Sequence, residues 1–184
     1  MLVEQGEEIE TIYTGDYRLS YLEWLDEREL VVYRSCGTEC MAAYIIDIKT
    51  KEQQDLFLGA GYLWSPNKEY VAAQHYSYKY GIFIAKRGNE YGQTVFELRR
   101  EHPEFGSGLI DQTIIAWSQG SSKVAIILRK QDEEKLELLV YDVQEHFALL
   151  HQWDLVGTDV SNLAWSDPDV ISWTEDGKSK KIQW

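Results

Sequence analysis

A tryptophan at the end of one segment and an apolar run a few residues later form a unit that occurs four times in this chain of 184 residues. The tryptophans lie 40, 53 and 48 residues apart, counted along the sequence, and they are Trp24, Trp64, Trp117 and Trp165. The runs that follow them are Glu29–Tyr33, Glu69–Ala73, Lys123–Ile127 and Asp169–Trp173. Short runs rich in β-branched and aromatic residues, bounded by Gly, Asn, Asp and Ser, are typical of β-strands. The sequence therefore predicts one strand-turn-strand unit used four times.

A strand-rich unit that recurs about every 40–50 residues is typical of the blades of a β-propeller. A single small sheet cannot bury both of its faces, whereas stacked sheets cover one another. We therefore expect an all-β fold of four blades, each with four antiparallel strands, in a single domain. The expected blades cover residues 17–59, 60–100, 110–156 and 160–184, the last completed by residues 8–14. The four repeat tryptophans are expected to pack between blades, and helix is expected for only a turn or two, near Arg100–Phe105.

The last unit contains only three strands, so its sheet needs a further strand. The segment Ile9–Thr14 alternates apolar and polar residues, as a strand with one buried face does. We predict that it pairs with Lys180–Trp184 and closes a ring of four blades, because closure removes an open sheet edge. A ring of eight blades built from two chains is the alternative. A monomer is favoured over a homodimer.

The charge of the chain restricts its partners. Asp and Glu number 31 against 18 Lys and Arg, a net charge of −13. Nucleic acids and anionic membranes attract basic surfaces, so neither is an expected partner. The one local basic cluster, Lys178–Lys181, is interpreted as the solvated face of a short strand. No run approaches the ~18 apolar residues of a membrane span, and the first residues lack the features of a signal peptide. A cytoplasmic location is therefore expected, and an extracytoplasmic one is the alternative if a signal peptide was removed.

Two short motifs resemble those of a known repeat family. Residues 64–68, Trp-Ser-Pro-Asn-Lys, resemble the Trp-Ser-Pro-Asp-Gly-Lys motif of the WD40-like repeats in TolB-type β-propellers. The segments Tyr44–Ile48 and Leu139–Val143 resemble the aliphatic-aliphatic-Asp-aliphatic strand endings of the same repeats. The first unit departs from the pattern, since Leu25 stands where the other units have Ser. The resemblance implies a propeller that binds proteins or peptides, but a fold does not identify a partner.

Residues with catalytic or metal-binding chemistry form no recognisable pattern. The four histidines have no metal-ligand spacing, and they are His75, His102, His146 and His151. No catalytic residue, cofactor or metal is predicted. The two cysteines, Cys36 and Cys40, flank a predicted hairpin tip. Reduced thiols are favoured there. A disulfide is the alternative if the two Cα atoms come within about 7 Å, and two cysteines alone do not complete a zinc site.

We expect a binding scaffold without enzymatic activity, which contacts an unknown protein or peptide through loops on one propeller face. The best local candidates for that surface are His75, Tyr76, Tyr78 and Tyr80, since exposed Tyr is enriched in recognition surfaces. The alternative is a small-ligand or ion binder at the central channel, and a hydrolase is less favoured. Polar residues at the starts of the innermost strands would line that channel, namely Ser20, Gly61, Gln112 or Thr113, and Ser161 or Asn162.

Overall fold

The computed structural model describes residues 2–5, 8–11, 19–37, 40–56, 59–75, 81–89, 93–101, 113–129 and 136–183. These residues form antiparallel β-sheets and one short helix. The chain divides into two compact units. The first comprises Met1–Ala60 with Gly88–Gln93, and the second comprises Gly61–Arg87 with Thr94–Trp184. No helix within the described ranges is long and apolar enough to cross a membrane.

The first unit contains an N-terminal hairpin and the first blade. Strands β1 (Leu2–Gln5) and β2 (Glu8–Thr11) pair with each other. The blade consists of β3 (Leu19–Trp24), β4 (Glu29–Gly37), β5 (Cys40–Asp47) and β6 (Gln53–Asp55), each paired with the next. One face of this blade carries an apolar cluster formed by Leu30, Val32, Ala42, Tyr44, Ile46 and Ile48.

The second unit contains the other blades. The second blade consists of β7 (Gly59–Trp64), β8 (Tyr70–His75), β9 (Ile82–Lys86) and β10 (Phe96–Glu97), and α1 (Leu98–Glu101) follows it. The third consists of β11 (Thr113–Trp117), β12 (Lys123–Arg129), β13 (Leu136–Asp142) and β14 (Ala148–Leu155). The fourth consists of β15 (Val160–Asp167), β16 (Val170–Glu175) and β17 (Lys178–Gln183).

Two apolar layers hold these three blades together. The layer between the second and third blades includes Ile84, Phe96, Trp117, Ile126 and Tyr141. The layer between the third and fourth includes Ile127, Val140, Trp165, Ile171 and Trp173. Because consecutive residues of a strand point to opposite faces, the third blade supplies alternate residues of β12 and β13 to each layer. This explains why its central strands read as continuous apolar runs rather than as an alternating pattern.

The all-β, bladed architecture predicted from the sequence is confirmed. Among the described residues, helix is confined to α1, which begins two residues before the predicted segment. Residues 102–105 of that segment lie outside the described residues. Of the predicted closing strand Ile9–Thr14, the part in β2 pairs with β1 and residues 12–14 lie outside the described ranges. Its pairing with the fourth blade stays a prediction, as do the single-domain organisation and the blade boundaries.

The preference for reduced cysteines is wrong. Cys36 and Cys40 form a disulfide, with Cα atoms 5.1 Å apart. Both residues lie where β4 turns into β5, and Gly37 pairs with Cys40 across the hairpin. Antiparallel pairing brings the two side chains within bonding reach, a distance that the sequence spacing alone could not give.

Candidate functional site

The second unit contains a joint between blades that is used twice. The Nε1–H of Trp117 donates to the carbonyl of Leu63 at 3.1 Å, and that of Trp165 donates to the carbonyl of Ala116 at 3.0 Å. Each acceptor is the residue just before the tryptophan of the preceding blade. The ring fills the layer between two sheets, and its one polar atom is satisfied by backbone. A buried hydrogen bond of this kind contributes about 1 kcal/mol net, and leaving it unmade would cost more.

The serines that follow Trp64 and Trp117 hold the turns into the next strands. The Ser65 hydroxyl accepts the N–H of Tyr70 at 3.0 Å, and that of Ser118 accepts the N–H of Lys123 at 2.9 Å. The Ser121 hydroxyl accepts the N–H of Asn67 at 3.0 Å and so links the turns of the second and third blades. The Trp-Ser pair therefore fixes both the packing of a blade and the turn beside it.

Lys123 places a positive charge at the joint between the third and fourth blades. Its Nζ lies 5.8 Å from the ring centroid of Trp165 and 3.1 Å from Oδ1 of Asp169. It also donates to the carbonyl of Pro168 at 3.4 Å. Cation–π and ion-pair contacts of this kind are worth less than about 1 kcal/mol each at exposed positions. They orient the turn more than they stabilise it.

The first unit has a polar cavity of about 670 Å³ at one end of its blade. Four carboxylates, one guanidinium, two amides and one aliphatic side chain line it, and they belong to Asp26, Arg28, Glu29, Ile45, Asp47, Glu52, Gln53 and Gln54. No sequence motif marks these residues as a site. The signal that could have revealed the cavity is the antiparallel pairing of Glu29 with Asp47, which brings the turn and the end of the third strand together.

Asp47 accepts hydrogen bonds from two backbone groups and pairs with an arginine at this cavity. Its Oδ1 accepts the N–H groups of Lys49 at 2.8 Å and Thr50 at 3.0 Å, and its Oδ2 pairs with Nε of Arg28. Burial alone raises the pKa of the carboxyl and is the largest single influence. The hydrogen bonds from Thr50 and Lys49, together with Arg28, outweigh it, so the pKa of Asp47 is lowered from its usual value. Asp47 is therefore a permanently charged turn residue at neutral pH.

A second cavity, of about 500 Å³, lies on the fourth blade. Its lining combines two carboxylates with one ammonium group and consists of Ser166, Asp167, Pro168, Asp169, Val170, Lys181 and Gln183. Asp169 also pairs with Lys123, as described above. The cavity is open to solvent and lined by the turn between β15 and β16 and by the end of β17.

The predicted interaction surface falls largely outside the described residues. Tyr76, Tyr78 and Tyr80 lie outside them. His75 is the last residue of β8, and only its backbone is among the described parts. His102 also lies outside. Of the remaining histidines, His146 follows β13 and His151 stacks on Trp153 at a centroid distance of 5.0 Å. Within the described part of the chain, no group of three or more His, Cys, Asp or Glu side chains is arranged to hold a metal ion.

The repeat tryptophans do not share one environment. Trp64, Trp117 and Trp165 are 7–8% exposed, whereas Trp24 exposes 42% of its surface. Trp117 and Trp165 each pack on the preceding blade of the second unit. The expected packing of Trp24 and Trp64 between blades stays a prediction.

The proposed channel residues share a backbone feature. Gly61 and Asn162 both have positive φ, +62° and +54°, and both stand three residues before a blade tryptophan. Asn162 and Ser161 are exposed, and Nδ2 of Asn162 lies 3.3 Å from Oγ1 of Thr174. Thr113 begins β11 and Ser20 lies within β3, while Gln112 lies outside the described residues. Two of these inner strands are therefore kinked at the same place.

Comparison with known proteins adds information at the level of the fold. No family model matches the chain, and no curated protein matches it. A solved structure from a study of two prolyl endopeptidases matches 99% of this chain with a TM-score of 0.59 and 12% identity. The β-propeller domain of the Trilobed protease from Pyrococcus furiosus, described as having an open velcro topology, matches 89% with a TM-score of 0.55 and 16% identity. An acylaminoacyl peptidase matches 89% with a TM-score of 0.55 and 14% identity.

These matches establish a β-propeller-type fold. The chain spans 29%, 56% and 32% of the three neighbouring chains. The propeller part of the resemblance seen in the sequence is confirmed, while the WD40-like, TolB-type subclass stays a prediction. The predicted non-enzymatic scaffold function is contradicted, because these neighbours are peptidases or the propeller domain of one. The sequence motifs could not indicate the similarity to peptidase structures, because they are packing and turn motifs common to propellers of many functions.

Proposed function

We propose that this chain is the propeller part of a peptidase, acting together with a catalytic domain on the same or another polypeptide. One observation supports this above all. Peptidase structures match 89–99% of this chain, whereas the chain spans 29% and 32% of two peptidase chains and 56% of an isolated peptidase propeller domain. That relationship is typical of part of a propeller compared with an enzyme that contains a larger one. Catalysis is assigned to the companion domain, and peptide handling to the propeller.

Peptides are the proposed ligands, and charge supports a preference among them. The net charge of −13 and the four carboxylates of the first unit's cavity favour peptides that carry positive groups. Long-range attraction of this kind raises the rate of encounter and weakens with salt. The prolyl endopeptidases that share the fold were studied for the role of inter-domain dynamics in catalysis and specificity. A propeller that presents peptides to a neighbouring catalytic domain fits that role.

The test purifies the chain together with the proteins bound to it in its native host. The protein is tagged in its native host, purified, and assayed on blocked chromogenic peptides and with Z-Gly-Gly-Phe-chloromethyl ketone, the inhibitor present in the acylaminoacyl peptidase structure. The proposal expects hydrolysis and covalent labelling in this preparation, and none with the 184-residue chain made alone. The matched control is the tagged Trp165→Ala variant, which loses one inter-blade joint and should recover less activity. Activity no higher than in an untagged preparation overturns the proposal.

A further inference from the structure

The disulfide of the first unit closes the tip of the hairpin between β4 and β5. The two cysteines are only 4 positions apart in sequence, so the bond closes a small ring. A cross-link stabilises a fold mainly by restricting the unfolded chain, and a small ring restricts it less than a large one does. Cys36 is exposed and Cys40 is partly buried. The bond therefore adds less to the fold than a long-range bond would, and an attacking group reaches it most easily at Cys36.

The blade beneath this tip is held together by its own strands. Residues 29–35 pair with residues 41–47 without a break in the register. In the middle of this ladder Tyr33 lies opposite Ala43, and both are buried. The apolar cluster of the first blade is formed by the same two strands and the residue that follows them. Because cross-strand pairs of this kind are what stabilises a sheet, the register of the hairpin does not depend on the disulfide.

Cys36 itself stands outside this ladder. The register shifts between Ser35 and Gly37, and Gly37 is the residue that pairs with Cys40. The extra residue of a β-bulge has no opposite residue on the neighbouring strand, and the bulge turns its side chain in a new direction. Here that side chain meets the sulfur of Cys40. Opening the bond therefore removes a cross-link from a bulge and leaves the pairs of the ladder in place.

An exposed disulfide has a higher reduction potential than a buried structural one and exchanges with thiols more readily. We propose that the bond between Cys36 and Cys40 is a site of reversible thiol–disulfide exchange. Its partner is a dithiol reductant, of the class of redox proteins that carry a Cys-x-x-Cys pair. Reduction then changes the tip of the hairpin from a closed ring to an open loop, while the blade beneath keeps its register.

The exchange proceeds in two displacements at sulfur. A thiolate of the reductant attacks Sγ of Cys36, forms a mixed disulfide with it, and expels the sulfur of Cys40 as a thiolate that takes up a proton. The second thiolate of the reductant then attacks the reductant's own sulfur in the mixed disulfide and releases Cys36, which is protonated in turn. The chain gains two electrons and two protons, and the reductant becomes a disulfide. Glutathione disulfide in excess reverses the reaction.

Trapping the mixed disulfide tests the partner and the point of attack. The oxidised native chain is mixed with a reduced thioredoxin-type protein in which the second cysteine of the Cys-x-x-Cys pair is replaced by serine. The proposal expects a covalent adduct, and peptide mapping by mass spectrometry should find the linkage at Cys36. An adduct at Cys40 overturns the order of attack. An adduct that forms only with the urea-unfolded chain overturns the proposal, since the bond would then be protected by the fold.

The rate of reduction and the state of the reduced fold give a second test. Dithiothreitol should reduce the native chain within about tenfold of its rate with the unfolded chain, because no opening of the fold is needed. After reduction, amide hydrogen exchange should be faster at Gly37 and Cys40 and unchanged at Tyr33. The matched control is the double variant Cys36→Ser with Cys40→Ser, which should exchange like the reduced chain without any reductant. Reduction slower than this limit, or loss of protection at Tyr33 in either sample, overturns the proposal.

Discussion

The Nε1–H of Trp165 donates to the carbonyl of Ala116 across 3.0 Å and thereby ties the fourth blade to the inner strand of the third. Trp117 and Leu63 repeat the relationship one blade earlier. The repeat tryptophan is therefore both an apolar wedge and a hydrogen-bond donor, which separates it from the other large side chains of the two layers.

Replacing Trp165 separates these two roles. Trp165→Phe keeps an aromatic ring in the layer but removes the donor, so we expect a loss of about 1–2 kcal/mol in the free energy of unfolding. Trp165→Ala also empties the site and should lose about 3–5 kcal/mol. Urea denaturation of the two variants measures both values. No loss in Trp165→Phe would show that the hydrogen bond contributes nothing, and equal losses in the two variants would show that the packing of the ring contributes nothing.

Trp173 provides the opposite case. Its Nε1 is buried and has no hydrogen-bond partner in the described part of the chain. Because the donor is already unsatisfied, Trp173→Phe removes a penalty along with some apolar surface. We expect its loss of stability to be about 1 kcal/mol smaller than that of Trp165→Phe in the same urea assay. A loss as large as at Trp165 would indicate that a partner holds this N–H in solution.

Gly157 lies where a side chain cannot fit. Its N–H donates to Oε1 of Glu175 at 2.6 Å, and a Cβ there would collide with Cγ of Glu175 and lie 2.9 Å from Oδ2 of Asp176. We expect Gly157→Ala to destabilise by about 1–3 kcal/mol, as overpacking does. Gly120→Ala is the matched control, since nothing lies within 4 Å of its added Cβ. Thermal melts in which both variants behave alike would contradict this prediction.

Gly61 is required for its backbone rather than for space. Its φ of +62° lies in the left-handed region, and an added Cβ would meet nothing within 4 Å. Gly61→Ala should therefore cost about 1–2 kcal/mol through strain alone. Asn162 has a φ of +54° at the equivalent position, so Asn162→Gly should be neutral or slightly stabilising. Chemical denaturation that shows no loss for Gly61→Ala would mean that the strand straightens.

Asp47 makes the stability of the first unit depend on pH. Its pKa is lowered in the folded chain relative to about 3.9 in an unfolded one. The stabilisation is therefore complete above about pH 4 and is lost as the pH falls through the folded pKa. Asp47→Asn should reduce the free energy of unfolding at pH 7 and make little difference at about pH 2. A loss that is the same at both pH values would show that the charge is not responsible.

Sequence patterns predicted the blades well because packing and turn chemistry are local. The Trp-Ser pairs and the apolar runs lie in strands and turns where the motif places them, and the basic cluster at 178–181 lies on the exposed strand β17. The 42% exposure of Trp24 could not be predicted, because the motif around it resembles the one around Trp165. The disulfide was given only as the alternative and the cavity beside Asp47 was not predicted, since both depend on strand register rather than on spacing.

Both indole–carbonyl bonds described in the second unit run from the tryptophan of a later blade to a carbonyl of the blade before it. The stack of blades therefore has a direction. A duplicated copy of residues 110–156 inserted before the fourth blade would find a matching neighbour on both sides. Growth of such a protein by gene duplication therefore keeps one direction, because each added blade must bring its own indole to a carbonyl of the blade before it.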